Sequence, residues 1–275
     1  MASNIVIITG ASSGIGYEFF QTIDTHFCSI DEIWVIARTR PKLLKMKEQA
    51  HHNVRVIAMD LTKEGQLERL EDLLEEKNAI VRMLINCAGY GLTGNFATNE
   101  KEGQLGMIRL NDEALTHLTY SVLPYLRKHS RIIQMASSAA FLPQPGFAVY
   151  AATKAYVLSF SRALHEELKS KGIIVTAVCP GPVDTPFFDV ADQTHTDSSL
   201  EKVAKLKKMF LISPTKVVKK ALLDSYHKKP VSVIGIPMKV LQICAKILPH
   251  RLLLSIETMG QKTGESTEDD SNISF

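Results

Sequence analysis

Two residues near the middle of the chain have side chains that could together transfer a proton. In "YAATKAY", residues 150–156, Tyr150 and Lys154 lie one turn apart on one face of a predicted helix, whereas Tyr156 is rotated by about 240° from Tyr150. A phenol is a proton donor at neutral pH, and a nearby ammonium lowers the free-energy cost of forming its phenolate. Any helix contains such pairs by chance, so the spacing alone does not distinguish proton transfer from ordinary packing.

The elements that would position these residues follow a regular alternation. Short apolar runs predict strands at 4–9, 33–37, 54–59, 82–86, 131–136, 173–178 and 231–235. Helical patterns lie near 14–25, 41–51, 63–78, 98–128, 150–170 and 214–228. This alternation predicts an α/β protein with a doubly wound parallel sheet of about seven strands and helices on both faces. We expect one domain over residues 1–260, followed by a disordered tail at 261–275.

A glycine-rich turn follows the first predicted strand. In "TGASSGIG", residues 9–16, Gly10, Gly14 and Gly16 stand where the strand must turn sharply into a helix. Absent side chains let the backbone approach a pyrophosphate, whose charge a helix N-terminus stabilises. A purely structural turn is the alternative, but the position between the first strand and first helix favours dinucleotide binding.

The end of the second predicted strand indicates which dinucleotide is bound. NAD sites usually have Asp or Glu here to accept the ribose 2′-hydroxyl, but this chain reads Ala37-Arg38, with Arg40 close behind. A guanidinium can bind a 2′-phosphate through two hydrogen bonds, so we expect NADP(H). The alternative is that both arginines are solvated loop charges.

The composition is that of an ordinary globule and excludes several classes of protein. We find no secretory signal and no run of about eighteen uncharged apolar residues. The four cysteines form no CxxC pair, which favours reduced thiols in a cytoplasmic protein over disulfides or a metal site. Basic residues are not interleaved with stacking aromatics, so nucleic acid is not an expected partner.

In sequence order, these motifs resemble the short-chain dehydrogenase/reductase family over roughly residues 4–186. Besides the glycine turn, the resemblance rests on "MDLT" at 59–62, "NCAG" at 86–89, Asn111, Ser137, YxxxK at 150–154 and "PGPVDT" at 180–185. It implies a Rossmann-like fold and an NADP(H)-dependent oxidoreductase. The cofactor contacts that it implies are Gly10, Ser12, Ser13, Gly14, Ile15, Gly16, Arg38, Arg40, Asp60, Leu61, Asn86, Ala88, Gly89, Tyr150, Lys154, Pro180, Gly181, Val183 and Thr185.

The resemblance also implies roles for four catalytic residues. Tyr150 should be the general acid/base, Ser137 should donate a hydrogen bond to the substrate oxygen, and Lys154 should contact the nicotinamide ribose. Asn111 should hold a water molecule that links Lys154 to solvent. Two departures stand out: Cys87 replaces a frequent Asn, and Ser138 competes with Ser137, although the spacing to the tyrosine favours Ser137.

The substrate is less well determined. Residues 184–213 should cover the substrate, and this segment is rich in apolar residues: Phe187, Phe188, Val190, Ala191, Leu200, Met209, Phe210 and Leu211. Four apolar residues elsewhere are further candidates for the pocket wall: Phe96, Phe141, Leu142 and Phe147. We expect a ketone and secondary alcohol pair on a bulky apolar molecule such as a steroid or bile acid. Alternatives are a 3-oxoacyl thioester reductase of lipid metabolism and, remotely, a non-catalytic nucleotide-sensing scaffold.

The segment 236–257 extends past the usual end of the fold. Apolar residues recur in it at helical spacing, with Lys239, Lys246 and Arg251 among them. Over residues 200–262 there are 13 Lys or Arg against three acidic residues. The segment has four alternative roles: a dimer contact, a substrate lid, a peripheral contact with an anionic membrane, or a contact with an acidic partner protein. The family's habit also leads us to expect a homodimer or homotetramer.

Overall fold

Seven parallel strands form the centre of the computed structural model, which describes residues 3–187 and 211–249. They are β1 (Ser3–Thr9), β2 (Glu32–Ala37), β3 (Asn53–Ala58), β4 (Ala79–Asn86), β5 (Leu126–Met135), β6 (Ile174–Cys179) and β7 (Val231–Val233). Their order in the sheet is β3-β2-β1-β4-β5-β6-β7. The order reverses between β1 and β4, and in sheets of this kind ligands bind at the carboxyl ends of the strands at that point.

Helices cover both faces of the sheet, as the alternating pattern predicted. The described helices are α1 (Gly14–His26), α2 (Arg40–Glu48), α3 (Gln66–Glu76), α4 (Lys101–Ile108), α5 (Leu115–Val122), α6 (Ala148–Lys169), α7 (Pro214–Tyr226) and α8 (Ile236–Ile247). One face packs on α1, α2 and α7, and the other packs on α3, α5 and α6. Strand β1 shows why its run is apolar throughout, since Ile5 and Ile7 face one core and Val6 and Ile8 the other.

The predicted helix over 98–128 is wrong as a single element. Helix α4 runs into a wide π turn at Arg109–Ala114 before α5, and a short 3-10 turn at Leu123–Tyr125 follows. Strand β5 then begins at Leu126, five residues before its predicted start at 131. Periodicity missed the π turn because Arg109–Ala114 contains no Gly or Pro that would mark a break in the helix, and it missed the start of β5 because Leu126–Ser130 contains too many polar residues to read as a strand.

The C-terminal part is only partly described. Helix α8 occupies Ile236–Ile247 of the predicted extension. Residues 250–257, and with them Arg251, lie outside the described residues, as does the predicted tail at 261–275. Across residues 3–187 and 211–249, none of the helices is both long enough and apolar enough to cross a bilayer.

Candidate active site

The glycine turn joins β1 to α1 and leans on the end of β4. Gly10 has a φ of +64°, and a Cβ there would lie 2.9 Å from the Cα of Ala88. A Cβ on Gly16 would lie 2.4 Å from the carbonyl oxygen of Gly10. The Thr9 hydroxyl accepts a hydrogen bond of 3.1 Å from the backbone N–H of Ala88. Only glycine fits at positions 10 and 16. The close contact and the hydrogen bond with Ala88 fix the turn beside the end of β4, where the strand order reverses.

The first turn of α1 is suitable for a phosphate. Ser13 is the exposed residue before the helix, and its side chain makes no capping hydrogen bond to it. Ser12 lies beside it on the turn, and Ile15 packs against the core that α1 covers. Unpaired N–H groups and the positive end of the helix dipole attract an anion at this point.

Arg38 and Asp60 approach each other from the ends of β2 and β3. The Asp60 carboxylate accepts hydrogen bonds from the N–H and hydroxyl of Thr62, at 3.0 and 2.7 Å. Burial opposes its ionisation, but these bonds and the charge of Arg38 lower the pKa of Asp60 overall. Arg38 is exposed, as is Arg40 at the start of α2, while the Leu61 side chain is buried in the core. An anionic group above β2 would meet positive charge.

Asn86 ends β4 and connects three elements. Its Nδ2 donates hydrogen bonds to Thr119 of α5 at 3.1 Å and to Gln134 of β5 at 2.8 Å. Beyond it, a Cβ on Gly89 would lie 2.9 Å from Oδ1 of Asn111 and 3.4 Å from Nζ of Lys154. The glycine therefore lets the loop after β4 pass close to two predicted catalytic residues.

Asn111 lies inside the π turn and is completely buried. Its Nδ2 donates to the Tyr90 carbonyl at 3.0 Å and to the Thr153 hydroxyl at 3.1 Å, while its Oδ1 accepts from the Tyr90 N–H at 3.2 Å. The amide thus joins the loop after β4 to α6. A π turn widens the helix locally and is frequent at functional sites, which explains how a polar residue is accommodated here.

Tyr150 and Lys154 lie on the inner face of α6 and are only 7% and 5% exposed. The Ser137 hydroxyl, at the end of β5, hydrogen-bonds the Tyr150 side chain. Ser137 also accepts from the Ala139 N–H at 3.1 Å. Nζ of Lys154 lies 5.6 Å from the centre of the Tyr150 ring and donates to the Met135 carbonyl at 2.8 Å. The structure therefore brings these three predicted residues together.

The electrostatics of this group correct the sequence argument. Lys154 was expected to lower the pKa of the phenol, but burial dominates and raises the pKa of Tyr150 to about 12, with the Ser137 hydrogen bond partly opposing. Burial also lowers the pKa of Lys154 to about 8, against the effect of nearby Asp112. At neutral pH the phenol keeps its proton, and the ammonium loses its proton far more readily than an exposed lysine does.

Asp112 is a residue near this site that the sequence analysis did not single out. Its Oδ1 is buried without a hydrogen-bond partner among the described residues. Burial raises the pKa of Asp112 to about 7, although the charge of Lys154 acts in the opposite direction. The available signal was a carboxylate directly after Asn111, inside the predicted helical run "IRLNDEALTHL".

The loop after β6 covers the site from the other side. The Pro180 carbonyl accepts a 2.8 Å hydrogen bond from the N–H of Ser138, so Ser138 ties this loop to the end of β5. Val183 is buried, and the Thr185 side chain would lie 3.4 Å from a Cβ on Gly14. Gly181 faces Met238 of α8. The glycine-rich turn and the loop at 180–185, which the resemblance assigns to the cofactor, therefore lie close together.

Aromatic rings surround the phenol. Phe147 stacks on Tyr150 at 4.2 Å between ring centres, and Phe187 lies at 5.5 Å. Phe141 ends the short turn after β5 and packs on a separate cluster that includes Val157 and Cys179, whereas Phe96 is 66% exposed. Leu142 and Leu211 are both partly exposed. The other predicted pocket residues, Phe188, Val190, Ala191, Leu200, Met209 and Phe210, lie outside the described residues.

Comparison with known proteins identifies the family. Residues 4–196 match the family model described as short chain dehydrogenase. The chain belongs to the short-chain dehydrogenase family. An uncharacterized oxidoreductase of Staphylococcus epidermidis is 30% identical over 190 residues, or 68% of this chain and 81% of that protein.

Two further short-chain dehydrogenase relatives carry more specific names. Rat 17-beta-hydroxysteroid dehydrogenase type 3 is 28% identical over 208 residues, or 72% of this chain and 66% of that protein. A short-chain dehydrogenase from Sphingobium yanoikuyae, solved in complex with NADPH, is 26% identical with a TM-score of 0.69, covering 98% of this chain and 99% of that one. The protein is therefore an oxidoreductase of this family.

Proposed function

We propose that this short-chain dehydrogenase is an NADP(H)-dependent oxidoreductase that interconverts a ketone and a secondary alcohol on a bulky apolar substrate (class 1.1.1.-). The observation that carries the proposal is the buried Tyr150, hydrogen-bonded to Ser137, close to Lys154 and flanked by Phe147 and Phe187. A proton donor in apolar surroundings beside a phosphate-binding turn suits carbonyl reduction.

The chemistry divides between cofactor and protein. When bound, NADPH supplies the hydride to the carbonyl carbon. The Ser137 hydroxyl donates a hydrogen bond to the carbonyl oxygen, and the Tyr150 hydroxyl gives that oxygen its proton. Lys154 stabilises the phenolate that remains, and Asn111 holds Tyr90 and α6 in place around them. The raised pKa of Tyr150 favours this direction, because the phenol is protonated before the reaction.

The preference for NADP(H) rests on Arg38. Arg38 directly follows β2, and its exposed guanidinium lies near Asp60, at the position where the 2′-phosphate would bind. A relative that is 26% identical to this chain was solved with NADPH. We expect Arg38→Asp to shift the NADPH/NADH ratio of kcat/KM towards NADH by about 10- to 100-fold, the loss of one charge-assisted phosphate pair. Arg82→Asp, at an exposed position in β4, is the matched control. An unchanged ratio in Arg38→Asp would exclude this role.

A steroid or bile-acid ketone is our preferred substrate class. The aromatic contacts of Tyr150 and the 28% identity to a hydroxysteroid dehydrogenase support it. The decisive assay follows NADPH absorbance with steroid ketones, 3-oxoacyl thioesters and small hydrophilic ketones. Turnover of thioesters alone would favour the alternative reductase of lipid metabolism. No turnover with any of them, together with tight NADPH binding, would favour the non-catalytic nucleotide sensor.

We also propose a cytoplasmic homodimer or homotetramer. All four cysteines are free, as in a reducing compartment. Tyr120 on α5 and Tyr156 on α6 are 75% and 42% exposed on neighbouring helices, which suits contact with a second copy. Light scattering of wild type and a Tyr120→Asp variant tests the assembly, and a monomeric wild type would exclude it.

A further inference from the structure

Helix α8 carries an apolar stripe on its solvent side. Ile236, Val240, Ile243 and Ile247 are 78%, 52%, 56% and 74% exposed. At about 100° per residue, these four positions fall within about 60° of one another around the helix. Single exposed apolar residues are ordinary, but an aligned row of four on one short helix indicates an interaction surface.

The opposite side of α8 holds the helix on the protein. Met238, rotated by about 140° to 180° from the stripe, packs against the cluster that contains Cys179, Val157 and Val233. Its Sδ would lie 3.0 Å from a Cβ on Gly181. The helix also packs on the short turn Ser138–Phe141. The orientation of the stripe towards solvent is therefore fixed by packing.

The two charged residues of helix α8 are both basic. Lys239 and Lys246 are exposed, on one side of the row. Along the sequence, residues 225–256 contain five Lys or Arg and no Asp or Glu, and one of the five, Lys229, is paired with Asp224. An apolar stripe flanked by lysines is the pattern of a helix that lies in the plane of an anionic membrane surface.

A second copy fits this face less well. Two-fold pairing through α8 would bring the lysines of both copies together, with no acidic residue in 225–256 to pair with them. A stable interface also needs about 800 Å² from each partner, whereas a helix of 12 residues is only about 18 Å long. We propose that the outer face of α8 docks this protein on an anionic lipid surface.

The test is sedimentation of the full-length chain with vesicles. We expect vesicles of three parts phosphatidylcholine to one part phosphatidylserine to bind it at least about 10-fold more strongly than phosphatidylcholine alone. The preference should fall several-fold in 0.5 M salt, because screening weakens the attraction of the lysines. Absence of binding to both kinds of vesicle, or equal binding to both, would overturn the proposal.

Variants assign the binding to α8. Val240→Ser with Ile243→Ser should reduce binding by about 10-fold, and Lys239→Gln with Lys246→Gln should remove most of the preference for phosphatidylserine. Leu223→Ser, which changes a residue 47% exposed on α7, is the matched control and should bind like wild type. Circular dichroism checks that each variant is folded. Unchanged vesicle binding in the first variant would exclude the stripe, and loss of self-association there without vesicle binding would assign the face to a second copy.

Discussion

Helices α6 and α8 depart from the usual rule of burial in opposite ways. Helix α6 buries a tyrosine and a lysine, which are only 7% and 5% exposed, whereas α8 exposes four aliphatic side chains and has no buried residue. Burial changes the pKa values on α6, which is useful for proton transfer. Exposure on α8 leaves apolar area unpaired, which is useful for binding a partner. Both departures have a free-energy cost, and we propose a function for each.

The largest expected effect comes from the two tyrosines of α6. Tyr150→Phe should lower turnover with a ketone by about 10²- to 10⁴-fold, the range of a general acid, while NADPH affinity changes little. Tyr156→Phe removes only a 2.8 Å hydrogen bond to Thr116 and should retain nearly full activity. Steady-state kinetics and NADPH fluorescence measure both. Equal turnover in the two variants would mean that the buried position has no catalytic importance.

The stability of the two helices should differ just as clearly. Val157→Ala in α6 removes two methyl groups at a fully buried position and should lower the free energy of unfolding by about 1 to 3 kcal/mol. Val240→Ala in α8, at a position 52% exposed, should change it by less than about 0.5 kcal/mol. Urea unfolding gives both values. A large loss in Val240→Ala would show that the outer face of α8 is packed within the protein.

A smaller, pH-dependent effect should come from Asp112. The pKa of Asp112 rises from 3.8 in the unfolded state to about 7 in the folded state. Below pH 4 the carboxyl is protonated in both states, whereas above pH 7 the folded state contains a buried negative charge that lowers its stability. Asp112→Asn should therefore leave stability unchanged near pH 4 and raise it by about 1 to 2 kcal/mol at pH 8, after allowance for solvent screening. Urea unfolding at several pH values measures the difference.

The same variant should also affect Lys154. Loss of a nearby negative charge lowers its pKa further below about 8, so a pH limb of activity that depends on the ammonium should move to lower pH. The exposed neighbour Glu113→Gln is the matched control for both measurements. If Asp112→Asn and Glu113→Gln give superimposable pH profiles, Asp112 does not influence the site.

Most of the fold was predictable because it depends on local patterns. The seven strands follow apolar runs covered on both faces, and each was located to within two residues except β4 and β5, which begin three and five residues earlier than predicted. The position of Tyr150 and Lys154 on one face of a helix could be predicted from helical spacing alone. The division of 98–128 was not predicted, because no Gly or Pro marks Arg109–Ala114 and the hydrogen bonds of Asn111 in this turn go to Tyr90 and Thr153, which lie 21 and 42 residues away.

The sequence by itself determined the order of the elements, the glycine turn and the residue types of the site, because periodicity and backbone freedom are properties of short segments. Only the tertiary structure decided that burial raises the pKa of Tyr150, that Asp112 acts on Lys154 and that the stripe on α8 faces solvent. These properties depend on which distant segments exclude water from a side chain, and spacing along the chain does not record that.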